Sequence, residues 1–153
     1  MKIFFILTGI VVILMGCGTW QSQKFQCIWA DTNNDGTIET IEYYTFEDDN
    51  LVKTELNIIS TFNASINKNT RENIEAIYKR AREKNTGING ISYTASVSDK
   101  KAESVYEIDY KVISEKELDI REDSDYNYSL ESTAEEFINY VETSSGRTCS
   151  LLK

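Results

Sequence analysis

Apolar and polar positions along the chain fall into blocks with two different periods. After a continuous apolar run, Ile3 to Leu14, interrupted by Thr8 and Gly9, the segment Phe25–Ala30 alternates and is rich in aromatic and β-branched residues, as a strand is. Asp31 to Gly36 has turn composition, and Thr37 to Phe46 is again β-rich, with Ile38, Ile41, Tyr43, Tyr44 and Phe46. A second turn at Glu47-Asp-Asp-Asn50 leads into the clearest strand, Leu51 to Phe62. There Val52, Thr54, Leu56 and Ile58 point one way and Lys53, Glu55 and Asn57 the other. Three strands on short loops predict an antiparallel meander.

The period then switches. Asn69 followed by Glu72 is a capping-box arrangement, and Ile74, Ile77, Tyr78 and Ala81 behind it share one helical face, with Gly87 as the stop. Ile91–Val97 alternates, turns at Ser98–Lys101 and resumes over Glu103–Ile113, which predicts a β-hairpin. Ser114 to Tyr128 is polar and acidic, with one helical turn around Leu118. Ser132 and Glu135 open a last helix whose face is Ala134, Phe137, Ile138 and Val141, ended by Gly146. The resulting order, β-β-β-α-β-β-α, is that of an α+β domain: an antiparallel sheet with two amphipathic helices packed on one face.

The opening apolar run changes the picture of where this domain works. About twelve residues are too few to span a bilayer, which takes about 20, but they match a signal h-region of 7–15. The run ends in Leu14-Met15-Gly16-Cys17, which resembles the lipobox of bacterial lipoprotein signals. That resemblance implies that residues 1–16 are removed and that Cys17 is acylated. Residues 17–24 are then lipidated cysteine and tether, and residues 25–153 one α+β domain on the outer face of the membrane. Met15 departs from the small residue usual at its position. The alternatives are an ordinary cleaved signal with Cys17 incidental, or an uncleaved anchor.

Charge and cysteine content narrow the partners. The net charge of −9 opposes nucleic acid and anionic headgroups alike, so a lipid at Cys17 is the membrane contact and nucleic acid is not a partner. With Cys17 assigned to lipid, Cys27 and Cys149 remain as a pair in a compartment that permits disulfides; the alternative is two buried free thiols.

One stretch carries metal-ligand spacing. Asp31, Asn33, Asp35, Thr37, Glu39 and Glu42, with Gly36 at the sixth place, satisfy the EF-hand loop pattern, in which Ca²⁺ takes side-chain oxygens, the Thr37 carbonyl and a bidentate Glu42. The flanks oppose it, because an EF-hand needs helices where this chain predicts strands, and Asn-Asp-Gly is a strong turn signal by itself; a looser Asp-x-Asn-x-Asp-Gly loop between strands can also bind Ca²⁺ without Glu42. Catalysis has no visible apparatus: the chain lacks histidine, its last two cysteines are expected to be paired, and no serine sits in a nucleophile elbow.

With Phe25, Cys27, the Gly87–Tyr93 stretch Gly-Ile-x-Gly-Ile-x-Tyr, and Glu107–Tyr110 in view, the chain resembles the YehR-type small bacterial lipoproteins. The resemblance supports architecture and location and brings no catalytic residues. The expectation is a membrane-anchored, extracytoplasmic, non-catalytic module of the cell envelope that meets an unidentified envelope protein or ligand and needs no cofactor. The competing expectation is a calcium-dependent surface module built on Asp31–Glu42.

Overall fold

A computed structural model describes residues 22–121 and 132–152; the signal, Cys17 and most of the expected tether lie outside the described residues. The strands are β1 (Ser22–Thr32), β2 (Gly36–Glu47), β3 (Asn50–Phe62), β4 (Ile91–Val97), β5 (Lys101–Asp109) and β6 (Thr148–Leu152). The helices are α1 (Lys68–Asn85), α2 (Glu115–Arg121) and α3 (Ala134–Ser145). The six strands form one antiparallel sheet in the order β4-β5-β3-β2-β1-β6. The α+β class, the meander and the hairpin stand as expected. The chain adds a short helix at α2, where one turn was expected, and a strand, β6, that was not.

Register shows where the helices lie. Cys27, Glu42 and Leu56 are opposite one another, as are Phe25, Tyr44, Thr54 and Ile108, so these side chains share a face. Phe137 of α3 packs edge-on against Tyr44 and Phe46 of that face, with ring centroids 5.1 and 5.5 Å apart. Leu118 of α2 joins the same cluster. Ser104, four residues before Ile108, belongs to this face too and hydrogen-bonds Tyr78 of α1. Both long helices therefore cover one face, and among the described residues no helix covers the other. The deepest packing, Cys27, Tyr44, Phe46 and Phe137, lies beneath α3.

The two helices pack unequally. All four residues of the expected α3 face are buried, whereas α1 buries none completely. Ile77, expected on its packed face, is 55% exposed. The reason is position: α1 rests on the edge strand β4, where the sheet supports only one flank of a helix. Tyr78 instead reaches inward, and burial beside Tyr93 and Glu103 raises its pKa.

Both helix starts are shifted from the expected caps. Asn67, not Asn69, caps α1, its Oδ1 accepting from Thr70 N at 2.9 Å. At α3 the box is Thr133 with Glu136 instead of Ser132 with Glu135: Glu136 N donates to Thr133 Oγ1, and Thr133 N donates to Glu136 Oε2. Ser-Thr-x-Glu-Glu contains two overlapping boxes, and tertiary contact selects the second. Ala134 N, in the first turn, donates to Asp49 Oδ1 at 3.1 Å, so the β2–β3 turn supplies another acceptor to the same helix end. That turn holds Asp48 and Asp49 at φ 48° and 65°, the positive values a two-residue hairpin requires. Likewise the strand begins at Ser22, so residues 22–24, expected as tether, pair with β2.

The α3 cap predicts a pH dependence. The Thr133 backbone N–H, then its hydroxyl, hold Glu136 below the usual glutamate range. A depressed folded-state pKa contributes stability above the unfolded value, roughly pH 4.3, that is lost as pH falls through the lower folded value. Glu136→Gln is expected to lower the urea midpoint at pH 7, with the difference from wild type closing as the solution is acidified toward pH 3. Thr133→Ala is expected to cost about 1 kcal/mol at neutral pH in the same measurement.

Candidate functional site

The Asp31–Glu42 stretch folds as two strands and a tight turn. Asp31 pairs with Ile38 and Thr32 with Thr37, leaving residues 33–35 as the turn. Asn33 Oδ1 accepts from Asp35 N at 2.8 Å and Gly36 N at 3.1 Å, the self-bonding that makes asparagine a turn residue. The turn is also fastened to the end of β3: Asn63 N donates to Asp35 O and Asn63 Nδ2 to Asn34 O. Gly36 is required by close approach, because a Cβ there would lie 2.0 Å from Thr61 O. Three residue types of the calcium pattern thus serve the hairpin.

Glu42, expected as the bidentate ligand, stands opposite Cys27, four residues of strand from the position opposite Ile38 and about 13 Å away along the sheet. It is buried and already engaged: Tyr44 Oη donates to its Oε2 at 2.6 Å, and Arg147 Nη2 donates to its Oε1 at 2.8 Å. The extended backbone through β2 is what carries Glu42 off. The structure does not bring Asp31, Asn33, Asp35, Thr37 and Glu42 together, and among the described residues no group of three acidic or cysteine side chains is placed to hold a metal.

What the fold does assemble is a buried polar cluster around the disulfide. Cys27 and Cys149 are bonded, directly opposite in the β1–β6 pair with their Cα atoms 4.0 Å apart. Glu142 of α3 accepts from Cys149 N at 2.8 Å, and Arg147, in the return from α3 to β6, reaches Glu42. Arg147 Nε is buried and has no hydrogen-bond partner among the described residues. Sequence reading missed this cluster because its members are far apart in the chain. A shallow groove of about 380 Å³ beside it runs between Phe25 and the Glu135, Glu136, Ile138, Asn139 and Glu142 side of α3.

The face that no described helix covers is polar and solvated. Gln26 Nε2 donates to Tyr43 Oη at 3.0 Å, Lys24 Nζ stands 4.6 Å from the Tyr43 ring centroid, and Ile28 is 37% exposed. Lys53 and Glu107 pair at 2.8 Å across β3 and β5, and that hydrogen bond leads the causes raising the lysine pKa.

No family model matches the chain, and no curated protein matches it. Among solved structures, the chain is similar to the E. coli YehR protein determined by NMR, with 17% identity and a TM-score of 0.53 over 88% of this chain and 93% of that one. It is also similar to an NMR structure of a protein from Streptococcus pneumoniae TIGR4, with 10% identity, a TM-score of 0.49 and 98% of each chain covered. The chain therefore shares the fold of YehR.

Two outcomes follow from the site. Arg147→Ala, which leaves Glu42 buried without its cation, is expected to cost about 2–3 kcal/mol in chemical denaturation, discounted for the partial exposure of the arginine. Pairing it with Glu42→Leu should recover much of that loss. Millimolar Ca²⁺ is expected to leave the thermal midpoint unchanged; a rise abolished by Asp31→Ala would show that the loop can rearrange around the ion.

Proposed function

We propose that this chain is an extracytoplasmic lipoprotein of the bacterial cell envelope, anchored through acylated Cys17, whose α+β domain is a non-catalytic binding module. The Cys27–Cys149 disulfide is the observation that carries the reading. It accounts for two of the three cysteines and belongs to an oxidising compartment, so Cys17 is the cysteine left for lipid. Leu14-Met15-Gly16-Cys17 after a short apolar run supplies the acylation signal. Among the described residues no helix is long and apolar enough to cross a membrane. Because β1 starts at Ser22, the tether is shorter than the sequence suggests, five residue steps that reach at most roughly 18 Å.

The binding half of the reading is supported by the large solvated sheet face and by the chemistry present. The chain has no histidine, and Glu42, the most buried carboxylate among the described residues, is held by Tyr44 and Arg147. Palmitate labelling in a bacterial host tests the anchor. Label is expected in the wild-type chain and not in Cys17→Ser, with the variant released from the membrane fraction; equal labelling of both would refute it.

A further inference from the structure

β4 is an edge strand whose sequence, Ile91-Ser-Tyr-Thr-Ala-Ser-Val97, has neither charge nor proline, and its pairing with β5 is uninterrupted. Edge strands are ordinarily guarded against pairing by such devices. Ser98 N donates to Lys101 O at 2.7 Å, closing the hairpin. Hydrogen-bonded pairs alternate from there, so Ser96, Thr94 and Ser92 exchange bonds with β5 while Val97, Ala95 and Tyr93 direct their N–H and C=O groups outward. Among the described residues no strand pairs with that side. One outward acceptor, Ala95 O, takes a long 3.4 Å bond from Arg82 of α1. A groove of about 270 Å³ runs along this edge between Glu75, Tyr78 and Arg82 on the helix and Ala95, Ser96 and Val97 on the strand.

Charge selects the occupant. α1 carries six Lys or Arg against three Glu, net +3 in a chain of −9, which leaves −12 for the remainder. Lys100 and Lys101 stand at the tip of the adjoining hairpin. The acidic groups nearby are largely neutralised: Asp99 by Arg71, Glu103 by Lys101 and Glu107 by Lys53, with Glu75 left in the groove. A second copy pairing β4 with β4 would bring two positive helices together. An incoming acidic strand would instead meet a positive end.

We propose that the β4 edge and the α1 groove form a docking site for an extended acidic peptide segment of a partner protein, added to the sheet as a seventh strand. Backbone bonds from Tyr93, Ala95 and Val97 hold the peptide, and Arg82 moves from Ala95 O to a peptide carboxylate. This rests on the binding module proposed above and puts its ligand at the sheet edge beside α1 instead of on the solvated face. Peptide binding does not depend on acylation, so this inference and the anchoring can fail separately.

The test is a fluorescence-anisotropy titration of the full chain in non-ionic detergent with a labelled acetyl-(Glu-Val)₄-amide probe. The probe is expected to bind, and to weaken about tenfold or more when Glu is replaced by Lys and in the Arg82→Glu protein. Methylation of its alternate backbone nitrogens should abolish binding, and Arg82→Glu should leave the melting temperature unchanged. Absence of binding overturns the proposal. So does equal binding of the methylated probe, which would mark a general anion patch, or full competition by phosphatidylglycerol added to the micelles, which would mark a lipid-headgroup surface. Dimerisation of the chain in sedimentation equilibrium, lost in Ala95→Pro, would assign the edge to a second copy and overturn it equally.

Discussion

The bond between Cys27 and Cys149 joins a strand at the start of the domain to one at its end, 122 residues apart. Closing a loop of that length removes unfolded-state entropy worth about 4–5 kcal/mol in the chain-entropy model. Its structural consequence is as large. β6 is five residues long and mostly exposed, with Leu151 at 54%, so it has little burial of its own to hold it against β1. Fixing Cys149 opposite Cys27 holds that strand and places Arg147 where it meets Glu42. The same bond brings Cys149 N to Glu142 of α3. The disulfide, the partly buried ion pair and the end of α3 are consequently one unit, beside the edge-on ring cluster of Tyr44, Phe46 and Phe137.

The other long helix has no such fastening. α1 is held by a half-buried stripe, Ile74, Tyr78 and Ala81, and by surface pairs such as Arg71 with Asp99, which contribute little each. The domain thus divides into a densely packed acidic side over β1 and β2 and a lightly packed basic side over β4. Regions with few buried contacts open at low free energy, which suits a surface that must exchange solvent or a helix side chain for a ligand.

Much of this was readable from the residues, and what was not has a physical cause. β1 to β3 alternate because each buries one face, and the α3 stripe is unambiguous because all four of its apolar residues enter the core. β6 escaped because one strand of five mostly exposed residues leaves no alternation to see. Ile77 was misplaced because a helical face is defined by sequence, while the width of sheet beneath it is set by topology. The Asp31–Glu42 pattern illustrates a deeper ambiguity. Turn formation and calcium binding both favour Asp, Asn and Gly, and only the backbone path decides between them. Here strand geometry carries Glu42 to a partner, Arg147, that is 105 residues away, a separation no local pattern reports.

Register also gives the proposed anchoring a direction. Ser22 pairs with Glu47, next to the Asp48–Asp49 turn, and Asp109 pairs with Lys53 at that same end of the sheet. A lipid a few residues before Ser22 would hold this end toward the bilayer, with the carboxylates of Glu47, Asp48 and Asp49 facing the headgroups. The Asn33–Gly36 turn and the Ser98–Lys101 hairpin, at the opposite end, would then point away from the membrane. β4 runs from the Ser22 end of the sheet at Ile91 to the opposite end at Val97, so with that anchoring its open edge would stand along the membrane normal. That orientation would leave the edge accessible from the side to a partner that need not approach the headgroups.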